Sequence, residues 1–424
     1  HKSPIKLRYW LFYAKLRSNG GGFMLCQFSF KNFKSYRDET VFDMQAADLS
    51  EFAGSIIECS KASRLLPVAS IYGPTGGGKS NLLQALACLV STVVHPIHEL
   101  QKTRTGIIVQ QRVSCNPFLL DNSSRNEPTE FLLYFRINSY EYRYYLSLQN
   151  DEIVSEILDR KKIGGKRMAH LFSREGKDIK LGSSINKVSI NRTVNPKMPY
   201  LSFLAINYDL EAINDAQKWF ESFIIQNYGN PVTELYMMLS DNLAIRERII
   251  RVLNDMDIDI SGYRYDDDQK QLVFQRNING NKYELPYEDE SDGTKKMIVV
   301  IPLILMALNE GRLLIVDELD AKLHPKLLRY IISIFKDKNI NKYGAQLVFT
   351  SHDIITMRST VYRRDEIWFA AENECHESEL YSLYDIKNEH DDGVRRKAKY
   401  DVEYLEGRYG ADPYLNNMFK VGGW

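Results

Sequence analysis

Three textures of apolar residues follow one another along this chain, and their order lays out an α/β fold. Largely apolar runs at residues 66–72, 313–316 and 345–349 are short, each ending in polar residues, as expected of strands covered on both faces. Alternating positions at 25–30, followed by 41–42, predict two strands of a small antiparallel sheet beside the first of these runs. Residues 131–137 and 140–146, separated by Asn138 and Ser139, predict a β-hairpin, with a further strand at 153–158. The many tyrosines there suit a half-exposed sheet face, which could stack nucleotide bases. Spacings near 3.6 at 201–206, 216–225, 235–253 and 297–308 predict helices, and 367–370 and 380–384 predict late strands. A short helical pattern at 402–405 lies in an otherwise polar tail.

The polar residues at the end of each buried run carry the chemistry. After the first come Gly73, Pro74, Thr75, Gly76, Gly77, Gly78, Lys79 and Ser80, matching G-x-x-x-x-G-K-[ST] at every fixed position. The glycines let successive backbone N–H groups turn inward around the β- and γ-phosphates of a nucleoside triphosphate, Lys79 supplies an ammonium, and the Ser80 hydroxyl can ligate Mg²⁺. Asn81 continues a predicted helix whose positive end faces the phosphates. The second run ends in Asp317 and Glu318, the pattern in which an aspartate joins the Mg²⁺ shell and a glutamate orients or deprotonates the attacking water. The third ends in Ser351 and His352. Ser291, Asp292, Gly293 and Thr294 open the apolar helical run that precedes the second strand.

With these residues in view, the chain resembles the ABC-like ATPases of bacterial abortive-infection and phage-defence systems. The likeness is to the RloA type, which is related to the ATPase of Septu systems and more distantly to OLD, RecF and SMC heads. It runs from Met24 to the C-terminus and is carried by Asn32-Phe33-Lys34-Ser35-Tyr36, by the S-D-G-T tetrad, by Leu323-His324-Pro325 after the acidic pair, and by Gly407-Arg408-Tyr409-Gly410. The resemblance implies an ABC-type P-loop ATPase head with a β-rich then helical insertion, binding ATP and Mg²⁺. Two copies, or a higher homo-oligomer, would sandwich ATP, with Ser291, Gly293 and Thr294 of each copy reaching the γ-phosphate held by the other. It also implies γ-phosphate sensing by His352 and an interface role for Asp320. Gln110 and Gln111 both fit the glutamine such proteins place after the first helix. No heptad pattern is sustained, so a long coiled-coil arm is not expected.

Composition narrows the rest. The 55 basic and 55 acidic residues cancel, so any contact with DNA or RNA would be local, with Lys161, Lys162, Lys166 and Arg167 as one basic cluster and Arg395, Arg396, Lys397 and Lys399 as another. The five cysteines lack paired metal spacing and read as reduced thiols of a cytoplasmic protein. No run approaches the ~20 apolar residues that span a bilayer, and no membrane association is expected. The expected organisation is an N-terminal extension at 1–23, a first core part at 24–100, the insertion at 101–287, a second core part at 288–384 and a tail at 385–424. No nuclease signature appears. The resemblance implies an anti-phage sensor or regulator acting on a separately encoded effector. The alternatives are a RecF-like DNA-repair clamp and a scaffold that binds ATP without hydrolysing it.

Overall fold

Strand β5 (Val68–Tyr72) is buried along its whole length because it feeds two cores at once. Val68 and Tyr72 point into one, Ala69 and Ile71 into the other. The same division runs through β15 (Leu313–Val316), where Leu313 and Ile315 face one side and Leu314 and Val316 the other. The computed structural model describes residues 22–60, 63–105, 113–185, 189–226, 243–266, 268–269, 271–387 and 393–411. Residues 1–21 of the N-terminal extension, Gln110 and Gln111, the first part of the run at 235–253 and the end of the tail lie outside the described residues.

These strands belong to a six-stranded sheet of order β11-β15-β16-β5-β17-β18, with β11 (Ile224–Gln226), β16 (Gln346–Thr350), β17 (Ile367–Glu372) and β18 (Ser378–Ser382). It is parallel except for β18. A two-stranded antiparallel ribbon, β3 (Ile57–Ser60) and β4 (Ser63–Leu65), leads into β5. Helices α5 (Asp292–Glu310) and α6 (Pro325–Lys336) cover one face of the six-stranded sheet through Val300, Ile304, Leu308, Leu328, Ile331 and Phe335. Helix α1 (Lys79–Thr105) covers the other through Leu82, Leu86, Leu89 and Val93. The Leu-His-Pro triplet has a local reason. The His324 ring accepts the Lys326 N–H at 3.1 Å as the N-cap of α6, and Pro325 sits at the first helical position, where no N–H is needed.

Beyond α1 lies a seven-stranded antiparallel sheet of order β10-β9-β8-β7-β6-β1-β2. Its strands are β1 (Met24–Lys31), β2 (Thr40–Asp43), β6 (Thr129–Ile137), β7 (Tyr140–Gln149), β8 (Glu152–Lys162), β9 (Ala169–Glu175) and β10 (Asp178–Leu181). The two expected strands pair antiparallel, but the sheet is not small, because β1 also pairs with β6 along its length, Phe28 facing Leu133 and Phe30 facing Phe131. The β-rich segment continues the N-terminal strands in one sheet. The stacking-surface reading fails for two of the tyrosines, for a packing reason, while Tyr134, Tyr140 and Tyr145 are half-buried. Tyr142 and Tyr144 are fully buried beneath helices α2 (Tyr200–Asn207) and α3 (Glu211–Glu221). Phe220 meets Tyr144 edge-on at 5.3 Å, and Trp219 lies 4.5 Å from Phe135, which stacks on Tyr142.

Buried Gln346 fastens the two sheets: its side chain accepts the Leu25 N–H at 2.6 Å and donates to the carbonyls of Leu25 and Leu66. The second half of the segment expected to be helical holds α4 (Leu243–Asp255) but also a three-stranded sheet, β12 (Gly262–Asp266), β13 (Gln271–Ile278) and β14 (Asn281–Pro286). Contrary to the expectation that no segment is long and apolar enough for a bilayer, residues 79–100 of α1 are so by length and composition. Their buried side chains pack into the core between the two sheets, which accounts for the apolarity without a membrane.

Candidate nucleotide site

The carboxyl ends of β15, β16 and β5 lie side by side, with Val316 opposite Phe349 and Thr350 opposite Ile71. Open parallel sheets bind ligands at such an edge. Gly73, Gly76 and Gly78 all have positive φ in the loop after β5. At Gly73 the requirement is also steric, since a Cβ would sit 2.0 Å from the Ala370 carbonyl oxygen on β17. Pro74, Thr75, Gly76 and Gly77 complete the loop, and α1 starts at Lys79, so the unpaired N–H groups of Ser80, Asn81 and their neighbours open onto the loop. Lys79 Nζ curls back to donate to the carbonyls of Gly73 and Pro74, both at 2.9 Å. Burial pushes its pKa down, opposed by the charges of Asp317, Glu318 and Asp320.

Asp317 and Glu318 leave β15 as one tight turn. The Thr350 hydroxyl donates to Asp317 Oδ1 at 2.5 Å and accepts the Glu318 N–H at 2.6 Å. Leu319 N–H donates to the Thr350 carbonyl at 3.1 Å. Glu318 has φ of 49°, a left-handed conformation that costs a non-glycine residue about 1–2 kcal/mol and that these bonds hold in place. Its side chain is exposed, as is His352, whose N–H donates to Asp320 Oδ2 at 3.0 Å. Asp320 Oδ1 is buried without a partner among the described residues. The donor set suits a hard cation: the Asp317 carboxylate and the Ser80 hydroxyl are ligands of the kind Mg²⁺ takes when phosphate oxygens complete its shell. Among the described residues no cluster of three or more His, Cys, Asp or Glu could hold an ion unaided.

Ser291, Asp292, Gly293 and Thr294 lie at the start of α5. Ser291 is the N-cap of α5, its Oγ accepting the Thr294 N–H at 3.2 Å and lying 2.8 Å from the Thr294 hydroxyl. Residues 68–358, more than two thirds of the chain, match the family described as "AAA domain, putative AbiEii toxin, Type IV TA system". The chain belongs to that family. Its fold is accordingly that of an α/β P-loop ATPase, with the strand order and loop described above. Among solved structures it is similar to the SMC head domain from Thermotoga maritima, at 13% identity and TM-score 0.40 over 85% of this chain and 98% of that one. An SMC head bound to the C-terminal winged-helix domain of ScpA matches at 13% and 0.43 over 85% and 97%. CbiO1 from Clostridium perfringens, part of an ABC transporter complex, matches at 19% and 0.22 over 46% and 66%. None of the curated proteins compared matches.

Several residues of this AAA-domain site have no role that the sequence alone assigns. Thr350 ends a predicted strand, and a hydroxyl at the polar end of an apolar run is the only signal it offers. Ser35 and Tyr36 belong to a resemblance motif without an assigned task. In the structure the Ser35 hydroxyl accepts from Asn81 Nδ2 at 2.8 Å and from Ser378 Oγ at 2.7 Å, while Tyr36 OH donates to the Gly78 carbonyl at 3.3 Å. Beside Ser35 opens a cavity of 670 Å³ lined by Lys34, Asn116, Phe118, Leu119, Glu372 and His376. Ser378 carries no sequence signal, being brought to the P-loop by β18.

Proposed function

We propose that the chain is an ATP hydrolase of the RloA type, related to the Septu ATPase, whose ATP-dependent self-assembly controls a separately encoded effector in a cytoplasmic anti-phage system. The observation that carries the ATPase part is the Thr350 hydroxyl locking Asp317 and Glu318 together at the sheet edge that also bears the P-loop. ATP phosphates would lie in the loop of residues 73–81, with the nucleoside directed to the cavity beside Ser35. Ser80 and Asp317 would hold Mg²⁺, which when bound neutralises the developing phosphate charge. Glu318 takes the proton from water as its oxygen attacks the γ-phosphorus, the bond to the β–γ bridging oxygen breaks, and ADP leaves with that electron pair. His352 contacts the γ-phosphate. Ser291, Gly293 and Thr294 of a second copy close the site, since Ser291 and Asp292 at the N-terminal end of α5 are exposed and a helix start favours an anion.

The defence role draws on the motif resemblance and on a family description that names a toxin of a type IV system. A RecF-like clamp on DNA has one observation of its own, the exposed tip after β8 bearing Lys162, Lys166 and Arg167. Solution mass without nucleotide, with ATP and Mg²⁺, and for Glu318→Gln, together with phosphate release with and without DNA, tests these readings. Assembly on ATP with turnover indifferent to DNA supports the effector reading. DNA-stimulated turnover with steep salt dependence favours the clamp, and assembly without any turnover leaves the scaffold.

A further inference from the structure

The turn that presents Glu318 touches the helix that starts at Ser291, and it does so at three points in one chain. Lys296 Nζ donates to the Glu318 carbonyl oxygen. Lys322 Nζ pairs with Asp292 at 2.7 Å. Gly293 packs so closely that a Cβ would sit 2.9 Å from the Lys322 carbonyl oxygen. The first and last of these meet the backbone carbonyl oxygens of Glu318 and Lys322, so the first turns of α5 and residues 318–322 are in direct contact. The middle contact is exposed on both sides and contributes little by itself.

Of the three, Lys296 is the buried one, 9% exposed in a helix whose other inward positions are apolar. A lysine is placed in such a position at a cost, because its ammonium must give up water. Here the ammonium is attracted by Asp320, Glu318 and Asp317. Lys79 lies in the same field, but a P-loop lysine turns to phosphate when nucleotide binds. Lys296, with Lys322 beside it, then remains as a protein cation close to the acidic turn while three carboxylates face a polyanion.

We infer that Lys296 is a positioning residue that couples the exposed N-terminal end of α5, where a second copy of this chain engages nucleotide, to the left-handed Glu318 turn of its own chain. The inference rests on the ATPase reading above. Closure of one site against Ser291 is thereby felt at the water-activating glutamate of the other, without any contact between the two nucleotides. The Lys296 side chain touches no reacting atom. Its effect is to fix where the Glu318 carboxylate starts from.

The test compares wild type, Lys296→Met, which keeps the shape and removes donor and charge, and Lys296→Arg, which keeps both. For each, phosphate release is followed over an ATP titration, thermal unfolding is recorded without nucleotide, and solution mass is measured with ATP and Mg²⁺ in the Glu318→Gln background. Lys296→Met is expected to lower kcat ~100-fold, the size of effect a displacement of about 1 Å produces. KM should stay near wild type, the thermal midpoint should not fall, assembly on ATP should persist, and Lys296→Arg should recover a large part of kcat. Unchanged kcat in Lys296→Met overturns the inference while leaving the ATPase reading intact. So does a kcat that falls only in step with the thermal midpoint in both variants, which makes Lys296 a stabilising residue. Absence of turnover in wild type instead removes the ATPase reading, and the inference with it.

Discussion

The Thr350 hydroxyl donates to Asp317 Oδ1 at 2.5 Å while accepting the Glu318 N–H at 2.6 Å, so one side chain on β16 sets the orientation of both acidic residues in the turn after β15. Thr350→Val keeps the shape and removes both bonds. Leaving a carboxylate oxygen and a backbone N–H unpaired costs about 1–3 kcal/mol. Urea unfolding should show a loss of that size. Phosphate release should fall more steeply than nucleotide affinity, because the P-loop is untouched; an equal fall in both would mean that Thr350 only stabilises the fold.

Glu318→Gln removes the proton acceptor and leaves the turn's backbone bonds, which run through N–H and C=O rather than the carboxylate. Turnover should drop by roughly 10²–10⁴, the range for loss of a general base. ATP should still drive assembly, and the assembled species should persist for want of hydrolysis. Sedimentation in ATP and Mg²⁺ reads this directly, and a variant that stays at its nucleotide-free mass would separate Glu318 from the cycle.

The parts legible in the sequence are those whose meaning is local. Strands buried on both faces leave apolar runs, and the P-loop and acidic pair are contiguous, so β5, β15, β16 and the residues after them could be placed from the chain alone. The pairing of β1 with β6 could not, because nothing in residues 24–31 says which distant strand completes their hydrogen bonds. Tyr142 and Tyr144 alternate as on a half-exposed face, and only the covering Trp219 and Phe220 make them core. Lys296 and Thr350 are ordinary residues in their own elements. They acquire a role when folding brings both to the turn at Glu318, a tertiary fact with no local signature.

Gly73 is the P-loop position with least room. A Cβ there would lie 2.0 Å from the Ala370 carbonyl oxygen, and φ of 142° is one that side-chain-bearing residues rarely adopt. Gly73→Ala should destabilise by about 1–3 kcal/mol and weaken binding of a fluorescent ATP analogue, because β17 must shift and carries the loop with it. Gly54→Ala, where a Cβ meets nothing within 4 Å, is the control and should stay within about 0.5 kcal/mol of wild type.

Burial pushes the Lys296 pKa down to about 8, against 10.5 for a free lysine, with Asp320, Glu318 and Asp317 pulling it partly back. Between those two values the unfolded chain binds more protons than the folded one, so folding stability rises with pH through that window. Below about pH 8 both states carry the proton, and the folded protein bears the full cost of a charged buried lysine. Lys296→Met has no proton to bind. The stability of wild type relative to this variant, measured by urea unfolding without nucleotide, should therefore be flat below pH 8, climb from pH 8 towards 10.5 and level off beyond. A difference that stays constant from pH 7 to pH 10 would mean that Lys296 keeps an ordinary lysine pKa, with its ammonium fully compensated by the surrounding carboxylates and the Glu318 carbonyl.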